Sequence, residues 1–167
     1  MSTDADALQA SQERERISPA LGKVVSGLYI ATAAIGERHA GMLCSFVEQC
    51  SFEPPMISIA VGSTRLLSQA LDGHGLFGLH ALSKENRGLL RSFSRVGDHD
   101  PFEGHELVEN LFGIPQLAEA SAFLACKVAG KMTTGDHTLY VAEVFEGSLQ
   151  HPGQEASVRV RSNGFIY

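Results

Sequence analysis

Short apolar runs separated by turn-forming residues dominate the hydrophobic pattern of this chain. Runs of this kind, bounded by Gly, Pro, Asn or Asp, are typical of β-strands. The pattern predicts strands over residues 28–34, 41–46, 56–61, 76–82, 122–128, 138–145 and 158–161. About six or seven short strands with a few helices between them indicate a mainly β fold, a small barrel with short helical insertions.

Apolar residues at helical spacing predict short helices between these strands. The first begins at Ser18, with Pro19 in its first turn, and ends near Gly27. The second covers residues 64–71, directly after a predicted strand. The third begins at Ser83, a residue type that caps helix N-termini.

Composition and charge narrow the class of protein. The chain has 167 residues, 44% of them hydrophobic and 19% charged, which is ordinary for one globular domain with a buried core. Residues 1–17 are polar and are predicted to form a flexible segment, so the domain is expected to span residues 18–167. A formal net charge of -6 argues against nucleic-acid binding.

The hydropathy of the chain predicts no contact with a membrane. No apolar run approaches the roughly 20 residues that span a bilayer. The N-terminus also lacks the apolar core of a secretory signal. The expected location is therefore the cytoplasm.

Three cysteines and one polar loop contain residue types that can bind a metal. Cys44, Cys50 and Cys126 are odd in number and fit no common zinc spacing, so free thiols are expected. Residues 98–105 are rich in Asp, Glu and His, types that bind divalent ions. A solvated loop is the simpler interpretation, and no metal site is expected.

The junction between residues 56–61 and the following helix has the pattern of an anion site. Ser63, Thr64 and Arg65 stand where that helix begins, and free backbone N–H groups at a helix N-terminus attract anions. A polar turn is predicted over residues 43–46, and with Met42 it is expected to hold a flat, hydrogen-bonding ring of the same ligand. The alternatives are an ordinary helix cap with a solvated arginine and a plain strand edge.

Two motifs give this junction a wider context. The first motif is GM, SF and PP before the strand MISIAV, at Gly41-Met42, Ser45-Phe46 and Pro54-Pro55. The second is GDH before the strand TLYVAEV, at Gly135-Asp136-His137. In this order they resemble the flavin reductase-like, FMN-binding split-barrel family, over residues 20–167. The first segment is particularly similar to the flavin reductase modules fused to some flavodiiron proteins. A stand-alone version, without a diiron or flavodoxin portion, is expected.

The resemblance implies a split β-barrel that forms a homodimer, with FMN near the subunit interface and FAD as the less expected flavin. It implies an FMN-dependent NAD(P)H:flavin oxidoreductase that passes hydride from NADH or NADPH to flavin. Electrons then go to a second flavin, a ferric complex, a monooxygenase or another redox protein. The alternatives are an FMN-binding electron carrier without NAD(P)H activity and a barrel that has lost flavin.

The resemblance also assigns site residues. The expected cofactor contacts are Met42, Leu43, Cys44, Ser45, Phe46, Ala60, Ser63, Thr64 and Arg65. His137 is the expected catalytic residue, near the nicotinamide or the flavin, and Asp136 orients it. Many family members carry a basic triplet where Gly62-Ser63-Thr64 stands here, so Arg65 is expected to hold the phosphate nearly alone. For the GDH triplet, the alternative is a polar hairpin turn.

Overall fold

The computed structural model describes residues 4–95 and 99–165 of the chain. Contacts divide these residues into two compact units, one over Gly27–Ser157 and the other combining the described residues before Gly27 with those after Ser157. The helices are α1 (Asp4–Leu21), α2 (Leu66–Gly73) and α3 (Arg87–Ser94). The strands are β1 (Ser26–Gly27), β2 (Tyr29–Ile35), β3 (Arg38–Cys44), β4 (Val47–Phe52), β5 (Pro55–Gly62), β6 (Leu76–Ala81), β7 (Leu107–Val108), β8 (Gln116–Leu117), β9 (Ala122–Thr134), β10 (His137–Leu149) and β11 (Val158–Arg159).

Seven strands form one sheet in the order β3-β2-β6-β9-β10-β5-β4, and every neighbouring pair in it is antiparallel. Helix α2 joins β5 to β6, and α3 follows β6. The predicted mainly β fold, a split barrel with short helical insertions, is confirmed. Within the described residues, no helix is long and apolar enough to cross a membrane.

The period of β5 shows how the sequence builds the core. Ile57, Ile59 and Val61 are buried, whereas the residues between them are partly exposed. Alternate residues of a strand point to opposite faces, so one face of β5 packs inward. The main core cluster combines these side chains with buried residues of β2, β6, β10 and α2.

The sequence-based prediction of the first helix is wrong. Helix α1 spans Asp4–Leu21, Pro19 lies in its last turn, and Gly27 belongs to β1. The cause is the run of Ala, Gln, Glu and Arg upstream of Ser18, since these residue types favour helix. The predicted flexibility of residues 1–17 stays a prediction.

Two further differences concern strands. β4 (Val47–Phe52) is absent from the sequence-based prediction because its exposed side chains include Glu48, Gln49 and Cys50, which break the apolar pattern. It lies at an edge of the sheet, where polar side chains face solvent. The β9–β10 hairpin is longer than predicted and turns only at Gly135, which has φ +64, and Asp136.

Candidate functional site

The pairing of β5 with β10 brings the two sequence motifs together. His137 lies opposite Gly62, and Leu139 lies opposite Ala60. One residue beyond the ladder, the Ser63 backbone N–H donates to the Asp136 carbonyl oxygen at 3.1 Å. The predicted anion site and the GDH turn therefore share one end of the sheet.

Phe46 extends this site from the segment between β3 and β4. Its carbonyl oxygen accepts a hydrogen bond from the Ala60 N–H at 3.0 Å. Its ring meets the His137 imidazole edge to face, with 5.8 Å between centroids and 67° between planes. Three segments that are far apart in the chain thus meet around His137.

The Asp136 carboxylate defines the hydrogen-bonding state of His137. The His137 Nδ1 atom lies 2.7 Å from Asp136 Oδ1. A carboxylate can only accept, so Nδ1 carries a hydrogen and the neutral ring has its lone pair on Nε2. The His137 side chain is 26% exposed, so a ligand can reach the imidazole. The Asp136 side chain is 92% exposed and lies on the solvent side of the pair.

Gly62 leaves space beside this imidazole. A Cβ atom at this position would lie 4.0 Å from His137 Nε2 and 3.5 Å from Arg65 Cγ. The missing side chain opens a gap between the histidine and the arginine. Gly62 is a candidate site residue. The sequence analysis named it only as part of the Gly62-Ser63-Thr64 triplet, because its place beside His137 depends on the register of β5 against β10.

The start of α2 has the features expected of an anion site. Arg65 is the N-cap residue and makes no side-chain capping hydrogen bond. Ser63, Thr64 and Arg65 are all exposed. The Ser63 hydroxyl lies 3.5 Å from the Thr138 hydroxyl, which adds a second β10 residue that sequence reasoning missed. The backbone N–H groups of Ser63 and Arg65 already donate to the Asp136 and Gly62 carbonyl oxygens. It is therefore the exposed side chains of residues 63–65 that this arrangement offers to a phosphate.

The predicted polar turn is only partly a turn. Met42, Leu43 and Cys44 end strand β3, and Ser45 and Phe46 connect it to β4. Met42 and Leu43 are partly buried, and each packs against a core cluster. Cys44 is fully buried in the main core, and loss of solvation raises the pKa of its thiol to about 12. The Cys44 side chain is therefore a neutral core group, and contact between this residue and a ligand would involve its backbone.

Ser45 is the polar side chain of this turn that calls for a partner. It is 1% exposed, and its hydroxyl oxygen has no hydrogen-bond partner among the described residues. A buried hydroxyl without a partner costs free energy, on the order of 1–3 kcal/mol. A ligand with hydrogen-bonding ring atoms would satisfy it.

The acidic loop does not assemble a metal site in the described part of the chain. The His99 Nε2 atom lies 3.0 Å from the Ser92 carbonyl oxygen, and Asp100 Oδ1 accepts the Phe102 N–H at 2.9 Å. No group of three or more potential metal ligands occurs within residues 4–95 and 99–165. Asp98 lies outside the described residues.

A comparison with protein families identifies the family of this chain. The family model described as "Flavin reductase like domain" matches residues 21–162. The chain belongs to the flavin reductase-like family. The match contains every predicted site residue, from Met42 to His137.

Curated relatives place this flavin reductase-like domain within longer proteins. "Putative diflavin flavoprotein A 3" of Synechocystis sp. is 34% identical over 160 residues, covering 93% of this chain and 26% of the relative. "Diflavin flavoprotein A 1" of the same organism is 31% identical, covering 90% of this chain and 27% of the relative. The chain thus spans about a quarter of the length of these relatives.

Solved structures share the fold of this flavin reductase-like domain. An NADH:FAD oxidoreductase of Streptomyces globisporus, in complex with NAD and FAD fragments, superposes with a TM-score of 0.78 at 24% identity, covering 98% of this chain and 93% of the other. Component B of a nitrilotriacetate monooxygenase from Mycobacterium thermoresistibile superposes with a TM-score of 0.80 at 20% identity, covering 94% and 86%. At these identities the likeness concerns the fold.

Proposed function

We propose that this protein is an FMN-dependent NAD(P)H:flavin oxidoreductase. Its membership of the flavin reductase-like family supports an oxidoreductase that acts on a flavin. The observation that carries the proposal is the meeting of Phe46, Ser63 and His137 at one end of the sheet. These contacts support a single site that combines the start of α2, the segment between β3 and β4, and His137.

The residues present fit a flavin mononucleotide. Ser63, Thr64 and Arg65 would hold the phosphate through the two hydroxyl groups and the guanidinium. The Ser45 hydroxyl and the backbone of residues 42–46 would hydrogen-bond the polar edge of the ring. Once bound, the flavin supplies the redox chemistry, accepting hydride from a nicotinamide and passing electrons to an acceptor. FAD is the less favoured flavin in this proposal.

His137 serves this reaction by orientation and by hydrogen bonding. With Nδ1 held by Asp136, its Nε2 atom is the ring nitrogen free to bind a substrate or to exchange a proton. The Phe46 ring packs edge to face against this imidazole. A histidine positioned in this way can hold a nicotinamide close to the bound flavin, which raises the effective concentration of the reacting groups.

The remaining parts of the proposal concern partners and location. The proposed second substrate is NADH or NADPH, and the acceptor is a flavin, a ferric complex, a monooxygenase or another redox protein. The proposed assembly is a homodimer in the cytoplasm. Gel filtration with light scattering, with and without FMN, tests the dimer.

The absorption spectrum and anaerobic stopped-flow kinetics test the function. The purified protein, loaded with FMN, is mixed with NADH or NADPH without oxygen, and the flavin band is followed. Rapid bleaching by either nucleotide is the expected result. Bleaching only by dithionite would refute the reductase and indicate an electron carrier, whereas failure to bind FMN or FAD in a fluorescence titration would refute the whole proposal.

A further inference from the structure

Ser92, His105 and Glu119 form a hydrogen-bonded chain that plays no part in the flavin site. Ser92 lies in α3, His105 in the loop after it, and Glu119 just after β8. The Ser92 hydroxyl lies 2.9 Å from His105 Nε2, and His105 Nδ1 lies 2.8 Å from Glu119 Oε1. Both distances are those of well-formed hydrogen bonds.

The hydroxyl of Ser92 is directed unusually for a serine in a helix. Helical serines commonly donate to a carbonyl oxygen of the preceding turn. Ser94 follows this pattern, donating to the Arg91 carbonyl oxygen at 3.4 Å. Ser92 instead bonds a histidine 13 residues further along the chain. Two serines of one helix thus differ in the group that their hydroxyls face.

The Glu119 carboxylate determines where the protons lie in the hydrogen-bonded series Ser92–His105–Glu119. Glu119 accepts from His105 Nδ1, so the neutral imidazole presents its lone pair at Nε2. The Ser92 hydroxyl then donates its proton to that lone pair. The His105 side chain is only 9% exposed, so its ring is held in place, and Glu119 can stabilise a positive charge on it. This is the arrangement of a nucleophile, a base and a positioning carboxylate.

A cavity lined by charged residues gives Ser92 a place to meet a substrate. The cavity has a volume of about 380 Å³, which lies in the range of small-molecule sites. Its lining residues are Arg91, Ser92, Arg95, His99, Asp100 and Glu103. Two arginines and two carboxylates balance each other in formal charge, so the cavity offers polar groups to a small uncharged molecule. The guanidinium groups supply donors for a developing oxyanion.

We propose that Ser92 is the nucleophile of a second site that hydrolyses small polar carboxylic esters. The Ser92 oxygen attacks the ester carbonyl while His105 Nε2 takes the hydroxyl proton. The carbon–oxygen bond to the alcohol then breaks, and His105 returns the proton to the leaving alcohol. Water, deprotonated by the same imidazole, attacks the acyl-serine ester, which releases the carboxylic acid and restores the serine. Glu119 is a positioning residue, and no oxidant or cofactor is needed.

A fluorophosphonate probe and 4-nitrophenyl acetate test this proposal on the full chain. The expected result is covalent labelling of Ser92, located by peptide mass spectrometry, together with release of 4-nitrophenol. Ser92→Ala should abolish both signals, while the matched control Ser94→Ala should retain both. Flavin binding and reduction should be unchanged in Ser92→Ala, which separates this site from the proposed reductase.

Variants of His105 and Glu119 distinguish a catalytic role of this hydrogen-bonded series from a structural role. His105→Gln should slow labelling about 100-fold or more, since that is a typical contribution of a general base. Glu119→Gln should slow labelling and Glu119→Asp should restore part of it, in protein with unchanged thermal unfolding. Absence of labelling in folded wild-type protein, or equal labelling of wild type and Ser92→Ala, would overturn the proposal.

Discussion

The buried histidine of β6 predicts a pH dependence of stability that can be worked out from its surroundings. His80 is 0% exposed, and its ring packs against Phe123 at 5.1 Å between centroids. Its Nε2 atom accepts the Leu117 N–H at 3.0 Å, so the hydrogen is on Nδ1, which donates to the Ile30 carbonyl oxygen at 3.1 Å. A proton on Nε2 would face another N–H donor. Burial of the ring accordingly lowers the pKa of His80 from 6.5 to about 4.

The sign and size of the effect follow from this pKa. Between the two values the unfolded chain binds a proton at His80 that the folded protein does not, so the free energy of unfolding falls as the pH falls. One pKa unit corresponds to about 1.4 kcal/mol. The fall of the His80 pKa from 6.5 to about 4 therefore lowers the free energy of unfolding by about 3 kcal/mol at a pH where both states are protonated. About 2 kcal/mol of this is lost between neutral pH and pH 5.

Urea unfolding near pH 7.5 and near pH 5 measures this loss. The wild type should lose about 2 kcal/mol more than His80→Gln over this interval, because the variant has no imidazole to protonate at this position. His39→Gln, which removes an exposed histidine, is the matched control and should behave like the wild type. An identical loss in wild type and His80→Gln would refute the reasoning. So would an NMR titration in which His80 of the folded protein titrates near pH 6.5.

Three further predictions concern packing and the proposed flavin site. A Cβ atom at Gly41 would lie 2.5 Å from Phe93 Cε1, so Gly41→Ala should lower the free energy of unfolding by about 1–3 kcal/mol. Gly130→Ala is the control, because nothing lies within 4 Å of an added Cβ there, and it should be nearly neutral when both variants are compared by thermal unfolding. Arg65→Ala should weaken FMN about fivefold in a fluorescence titration while Arg38→Ala leaves it unchanged, since an exposed cation contributes modestly; equal affinities would remove Arg65 from the phosphate site. His137→Ala should slow flavin reduction in stopped flow more than it weakens FMN, and unchanged reduction kinetics would exclude a catalytic role.

Local pattern was sufficient for much of the fold. The apolar runs that became β2, β5 and β6 could be read directly, because strands buried on one or both faces need such residues. The two motifs were sufficient for the family, which the match over residues 21–162 confirms. The pattern failed where burial was incomplete: the polar edge strand β4 was missed, and α1 was placed too late in the chain.

The candidate site depended on tertiary structure, because strand pairing joins residues that are distant in sequence. The composition of the chain does not reveal that His137 faces Gly62 or that Phe46 packs on its ring. Burial likewise decided that Cys44 belongs to the core. Ser45 beside it is also buried, but its hydroxyl has no hydrogen-bond partner among the described residues. The sequence by itself determined which chemical groups are available and the family to which they belong. The long-range register of the sheet decided which of those groups meet, since hydrogen bonds between strands act over distances in the chain that no local pattern encodes.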